Sequence, residues 1–217
     1  MNKKRILIAI TDDHLVVRAG VRGILSESES IELIQEYSSA AEMMRDLANV
    51  RWEVLILDID LKDGTGIELT EQILSYRPDL KIIILSVYPA ALYGVRALKA
   101  GALGYISKDF VASELTEAII RVSQGSKYIG QDLANVLANQ AIQLEPGQEL
   151  HDSLSNREYQ VLCLMAAGKS NISIAEHIKV SPKTISTYRM RIMKKMQMDT
   201  TADLLNYALA HKLKAIP

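Results

Sequence analysis

The stretch Val54-Leu55-Ile56-Leu57-Asp58-Ile59-Asp60 decides the fold. Its first four residues are apolar without alternation, so a strand here has no polar face and must be covered on both sides, as in a parallel sheet sandwiched by helices. Ile82-Ile83-Ile84-Leu85 repeats the pattern. Working outward, short Ile, Val and Leu runs at Arg5 to Thr11, Ile31 to Tyr37 and Gly104 to Ser107 add three strands. The intervening segments, such as Val16 to Ser26 and Ile67 to Tyr76, carry helical spacing. Five βα units in succession predict a doubly wound α/β domain with a five-stranded parallel sheet.

After Gly125 the alternation fades. Gln131 to Ile142 reads as a helix, and Gln143 to Asp152, with Glu145-Pro146-Gly147 inside it, as a polar linker. Beyond it no strand signal survives. Four helices are expected, Ser155 to Ala167, Ser170 to Ile178, Ser181 to Met196 and Thr200 to Lys212, which predicts α/β plus all-α organisation. The expected domains are 1–125, a helix and linker over 126–152, and 153–217.

The length of 217 residues allows one large or two modest domains, and 48% hydrophobic and 24% charged residues is average globular usage that excludes a wholly disordered, collagenous or coiled-coil chain. No apolar run approaches the roughly 18 residues of a membrane helix, so a soluble cytoplasmic protein without a membrane partner is expected. Cys163, the only cysteine, lies within Val161-Leu162-Cys163-Leu164-Met165 and reads as a small buried hydrophobe. The net charge of −1 conceals an asymmetry. Residues 1–150 carry 15 Lys and Arg against 21 Asp and Glu, a net of −6, and residues 151–217 carry 10 against 5, a net of +5. A basic second domain has nucleic acid as a candidate partner.

In a doubly wound sheet ligands bind beyond the carboxyl ends of the strands. There the chain places Asp12 and Asp13, Asp58, Ser86 and Lys108. Clustered carboxylates repel unless a cation neutralises them, and hard oxygen donors suit Mg²⁺ with water and a phosphate. Asp58 as nucleophile, a shielding metal, and Lys108 with the Ser86 hydroxyl on phosphate oxygens would equip the site for phosphoryl transfer to a carboxylate. Singly each residue has a plainer reading: Asp13 as a helix N-cap, Asp58 and Ser86 as turn residues, Lys108 as a surface charge. Their coincidence on one edge favours the site.

Ile8-Ala9-Ile10-Thr11-Asp12-Asp13-His14, Leu55-Ile56-Leu57-Asp58-Ile59-Asp60, Ile84-Leu85-Ser86 and Gly101-Ala102-Leu103-Gly104-Tyr105-Ile106-Ser107-Lys108 resemble, in order and spacing, the receiver domain of two-component response regulators. The resemblance implies a flavodoxin-like sheet of order 2-1-3-4-5 and Asp58 as phosphoacceptor. It also implies Mg²⁺ held by Asp12, Asp13, Asp58 and the Asp60 backbone carbonyl, Lys108 on the phosphoryl group, and Ser86 with Tyr105 as a switch pair. Implied partners are a sensor histidine kinase and small phosphodonors, with no other small-molecule substrate. The chain departs from the pattern at Leu61-Lys62, where Met-Pro is usual, and in the Asp60 carboxylate; Gly66 keeps the expected loop glycine. Both departures bear on phosphoryl lifetime. His14 reads as packing at a helix start rather than as a metal ligand.

In the basic half, Ser155-Asn156-Arg157-Glu158 is a capping box, Gly168 a stop, Lys179-Val180 a turn and Ser181-Pro182 a helix start. At 100° per residue, Ile185, Tyr188, Ile192 and Met196 fall on one stripe. Lys183, Ser186, Thr187, Met190, Arg191 and Lys194 take the opposite face, with hydroxyls suited to base edges and cations to phosphates. A solvated basic helix is the plainer reading. Leu154 to Lys212 resembles the LuxR-type output domain of the NarL/FixJ class, on Ser155-Asn156-Arg157-Glu158, Gly168-Lys169-Ser170-Asn171, Ile174-Ala175 and Ser181 through Tyr188. That implies a recognition helix over Ser181 to Met196, double-stranded promoter DNA as partner, and a homodimer on DNA paired through Thr200 to Lys212. Ser186 and Tyr188 replace the commoner Lys and His.

The function expected is a phosphorylation-gated transcription regulator, not an enzyme beyond its own phosphorylation and dephosphorylation. Two alternatives stand beside it. One is a phospho-independent DNA binder whose receiver is only a scaffold. The other is a phosphatase similar to haloacid dehalogenases, whose Asp-x-Asp nucleophile Asp58-Ile59-Asp60 mimics, although those enzymes place it on the first strand.

Overall fold

In the computed structural model, residues 5–142 and 149–213 are described, and the expected linker residues 143–148 lie outside them. The chain divides into two compact units, residues 1–140 and 141–217.

In the first unit, β1 (Ile6–Thr11), β2 (Ile31–Tyr37) and β3 (Val54–Asp58) alternate with α1 (Leu15–Ser26) and α2 (Ala40–Asp46). A two-residue antiparallel pair follows, β4 (Asp60–Leu61) with β5 (Gly64–Thr65). Then come α3 (Gly66–Tyr76), β6 (Lys81–Ser86), α4 (Ala90–Lys99), β7 (Gly104–Ser107), α5 (Val111–Ser123), β8 (Tyr128–Ile129) and α6 (Gln131–Ile142). The strands of the main sheet are parallel in the order β2-β1-β3-β6-β7-β8.

The five expected strands therefore hold their predicted order and gain a sixth, β8, which pairs Tyr128 with Gly104 at the sheet edge. Val54 through Leu57 are wholly buried, as the unbroken apolar run requires. Side chains alternate across the sheet. Ile8, Ile10, Ile56 and Ile83 join Val21 and Leu25 of α1 and Leu115, Ile119 and Val122 of α5 in one core. On α6, Leu133 is buried and sits where a Cβ at Gly94 of α4 would be, 2.6 Å from it.

In the second unit, the end of the expected linker forms a short 3₁₀ turn, Leu150–Ser153. Four helices follow, α7 (Asn156–Ala166), α8 (Asn171–His177), α9 (Pro182–Lys195) and α10 (Thr201–Ala210). Their starts obey the capping rules read from the sequence. Ser155 and Glu158 close a full capping box, Ser170 accepts from the Ser173 N–H, and Ser181 accepts from the Thr184 N–H with Pro182 in the first turn. Left-handed backbone at Gly168 and at Lys179 turns the chain between successive helices. Val161, Leu162 and Cys163 of α7, Ile174 of α8, Ile185 and Ile192 of α9 and Leu204 of α10 are completely buried, which confirms Cys163 as a core residue. Among the described residues no helix is long and apolar enough to cross a membrane.

Candidate functional site

Parallel strands deliver their carboxyl ends to one edge of the sheet, and there the acidic residues converge. Asp12 follows β1, and Asp58 closes β3 next to Leu85 of β6. Lys108 follows β7 and reaches across both carboxylates, its Nζ 2.8 Å from Asp12 Oδ2 and 3.1 Å from Asp58 Oδ1. Asp12 is fully buried and Asp58 is 3% exposed. Burial is the main force on the Asp58 carboxyl. With Asp12 adding to it, burial outweighs the lowering by Lys108 and by the Asp60 backbone N–H, and the pKa is pushed up to about 7. Burial alone would lower the Lys108 ammonium, but Asp58 and Asp12 more than offset it, so the group is firmly cationic.

The donor atoms of Asp12, Asp13, His14 and Asp58 all lie within 4.8 Å of one another. Three aspartates grouped this closely would repel one another if ionised together, and hard oxygen donors so grouped suit a small divalent cation. Lys62 points its ammonium toward the cluster, 4.0 Å from Asp13 Oδ2.

His14 is more than a packing residue at a helix start. It is the N-cap of α1, the role that Asp13 alone might have taken, yet its side chain caps no N–H. Instead its Nδ1 lies 2.7 Å from Asp13 Oδ1 and 3.2 Å from Asp12 Oδ1, and its backbone N–H donates to Asp12 Oδ1 at 2.8 Å. Two further residues escaped the sequence reading. Arg18 donates to the Asp12 carbonyl at 2.6 Å, and Asp63 accepts from the N–H groups of Ala40 and Ala41 at 3.0 and 2.8 Å, tying the loop after the acidic strand to the start of α2. No local spacing marks either contact.

Ser86 ends β6, fully buried, and its Oγ accepts from the Tyr88 N–H at 3.0 Å. Tyr105 is 2% exposed, lies inward, and donates its hydroxyl to the Tyr88 carbonyl at 2.8 Å. Burial raises its pKa well above the ordinary phenol range. The two expected switch residues thus both bond to the Tyr88 backbone, and the Ser86 side chain also hydrogen-bonds that of Tyr105.

On α9, Ile185, Ile192 and Met196 form the buried stripe, with Tyr188 half-buried at its margin. Lys183, Met190, Arg191 and Lys194 are exposed, whereas Ser186 and Thr187 are half-buried. The two hydroxyls bend back to the helix, Ser186 donating to the Pro182 carbonyl at 3.3 Å and Thr187 to the Lys183 carbonyl at 3.2 Å. Both oxygens keep lone pairs for an outside donor.

Two family models match in tandem, "Response regulator receiver domain" over residues 8–120 and "Bacterial regulatory proteins, luxR family" over residues 152–208. Among curated relatives, the oxygen regulatory protein NreC of Staphylococcus epidermidis is 35% identical over 213 residues, covering 95% of this chain and 98% of that protein. The response regulator UvrY of Escherichia coli is 32% identical over 206 residues, covering 95% and 94%. Among solved structures, RcsB of Salmonella enterica serovar Typhimurium, bound to promoter rprA in the presence of phosphomimetic BeF3⁻, matches at 26% identity and a TM-score of 0.63, covering 94% of this chain and 98% of that one. Fold, buried acidic edge and helix-turn-helix together define a two-module signalling regulator. The chain belongs to the response regulators of two-component systems, with a receiver domain and a LuxR-type DNA-binding domain of the NarL/FixJ class.

Proposed function

We propose that this chain is a phosphorylation-gated transcription regulator in which a sensor histidine kinase phosphorylates Asp58 and a homodimer then binds promoter DNA. The observation that carries the reading is Asp58 itself, buried at the end of β3 with Lys108 bridging it to Asp12, on the same chain as the exposed basic helix α9. In the transfer, a carboxylate oxygen of Asp58 attacks the phosphorus of a phosphohistidine or small phosphodonor. The new O–P bond forms as the bond to the donor breaks, and the electron pair leaves with the donor atom. Lys108 steadies the charge on the transferred oxygens, and Ser86 and Tyr105 relay the change.

The residues fit Mg²⁺, which Asp12, Asp13, Asp58 and the Asp60 backbone carbonyl would hold. When bound it supplies charge shielding between the carboxylates and the incoming phosphoryl group. The proposed modules are a receiver over 1–125, a helix and linker over 126–152 and an output domain over 153–217, with Lys183, Ser186, Thr187, Met190, Arg191 and Lys194 facing DNA. RcsB has been seen as dimers on DNA, which supports the dimeric reading, and a DNA-directed regulator of this kind works in the cytoplasm.

The test is incubation of the full chain with Mg²⁺ and acetyl phosphate. Expected are the mass of one added phosphoryl group, its loss in Asp58→Ala, and tighter promoter binding by the phosphorylated chain. No label on the wild type, or full label on Asp58→Ala, overturns the assignment. Equal DNA binding with and without label favours the scaffold-only receiver.

A further inference from the structure

A second cluster of metal-ligating side chains lies within the output unit. Glu149 and His151 come from the 3₁₀ turn and the residue before it, and Tyr207 and His211 from the end of α10. Residues four apart on a helix share a face, and the Tyr207 and His211 rings stack with centroids 4.0 Å apart. Polar atoms follow one another at short, even steps. His151 Nδ1 is 3.0 Å from the Tyr207 hydroxyl, which is 3.2 Å from Glu149 Oε2, which is 3.2 Å from His211 Nδ1.

We propose that Glu149, His151 and His211 form a binding site for a borderline divalent cation of the Zn²⁺ type. One donor atom from each of the three lies within 4.8 Å of the others. Tetrahedral Zn²⁺ with nitrogen and oxygen ligands at roughly 2.0–2.2 Å holds its ligands about 3.4 Å apart. The Glu149–His211 pair, 3.2 Å apart, already meets that spacing, and a His151 nitrogen lies within 4.8 Å of both. Two imidazoles and one carboxylate select Zn²⁺ over Mg²⁺, which prefers all-oxygen surroundings. Three protein ligands leave a fourth position for water or the Tyr207 hydroxyl. An ion here would clasp the 3₁₀ turn to the C-terminal end of α10 and stiffen both.

Histidine side-chain NMR of the full chain, titrated with Zn²⁺ in saturating Mg²⁺, tests the site directly. The chain has four histidines. The ring resonances of His151 and His211 should shift together and saturate at one equivalent. Zn²⁺ affinity should fall at least tenfold in His211→Ala and in Glu149→Gln. Shifts confined to His14, no shift at tens of micromolar Zn²⁺, or undiminished affinity in both variants would each overturn the proposal. The wild-type spectrum decides the matter even where a variant folds poorly.

Discussion

Lys195 Nζ lies 2.6 Å from Glu158 Oε2, joining the last turn of α9 to the capping box that starts α7. Glu158 is 4% exposed and also accepts from the Ser155 N–H at 2.8 Å. Helix α9 is thus fixed to the scaffold by charge as well as by its apolar stripe. Burial alone would raise the Glu158 carboxyl, but the Lys195 and Ser155 contacts outweigh it and hold it below the ordinary value of 4.5. A depressed folded-state pKa stabilises fully above 4.5, and that contribution drains as pH falls through the folded value. Unfolding of the output unit, followed by denaturation between pH 6 and pH 3, should show this acid loss. Glu158→Gln should flatten it, and Lys195→Met should cost about 1–2 kcal/mol, the low end for a charged hydrogen bond because Lys195 is partly exposed.

Gly66 offers a test at the acidic edge. A Cβ on it would run into the carbonyl oxygen of Asp58, because Gly66 hydrogen-bonds to Ile59 at 2.9 Å and holds the two backbones together. Alanine favours a helix over glycine by about 1 kcal/mol, but a collision with backbone has no side chain that can yield. Gly66→Ala should destabilise the receiver by about 1–3 kcal/mol in urea titration and slow labelling of Asp58.

What could be read in the chain before folding, and what could not, follows from the range of each signal. The buried strands were legible because Val54 to Leu57 and Ile82 to Leu85 carry their burial in their own residues. Helix starts were legible at Ser155, Ser170 and Ser181 because a cap acts within three residues. Strand β8 is two residues long and gives no period. His14 on Asp13, Asp63 on the start of α2 and Lys195 on Glu158 depend on side-chain direction or on partners far along the chain, which local patterning does not encode.

The Tyr105 hydroxyl supplies a third test. Its bond to the Tyr88 carbonyl pins the ring inward, and the Tyr88 N–H is held by Ser86. Tyr105→Phe keeps the ring but removes the hydroxyl proton donated to this carbonyl. It should cost about 0.5–1.5 kcal/mol in stability. Phosphorylated Tyr105→Phe should still carry full label yet lose part of the rise in DNA affinity, measured by fluorescence anisotropy with and without acetyl phosphate. An undiminished rise would remove Tyr105 from the relay.

On the recognition helix the side chains should divide by chemistry. Arg191 and Lys194 are exposed cations with long, flexible reach and suit phosphate oxygens. Each replacement by alanine should weaken binding to specific and random duplexes alike and lower the salt slope by about 1. Thr187 and Met190 lie nearer the helix start, and Met190, 67% exposed, has no reason in packing to be apolar. Its thioether suits a thymine methyl, and the Thr187 oxygen, its proton committed to the Lys183 carbonyl, is left to accept from a base amine. Thr187→Ala and Met190→Ala should therefore alter which sequences are selected from a duplex library, by about 1–3 kcal/mol at a base position, while non-specific affinity and salt slope stay close to wild type. Equal losses on specific and random DNA for all four variants would show that α9 binds as a basic rod and reads no bases.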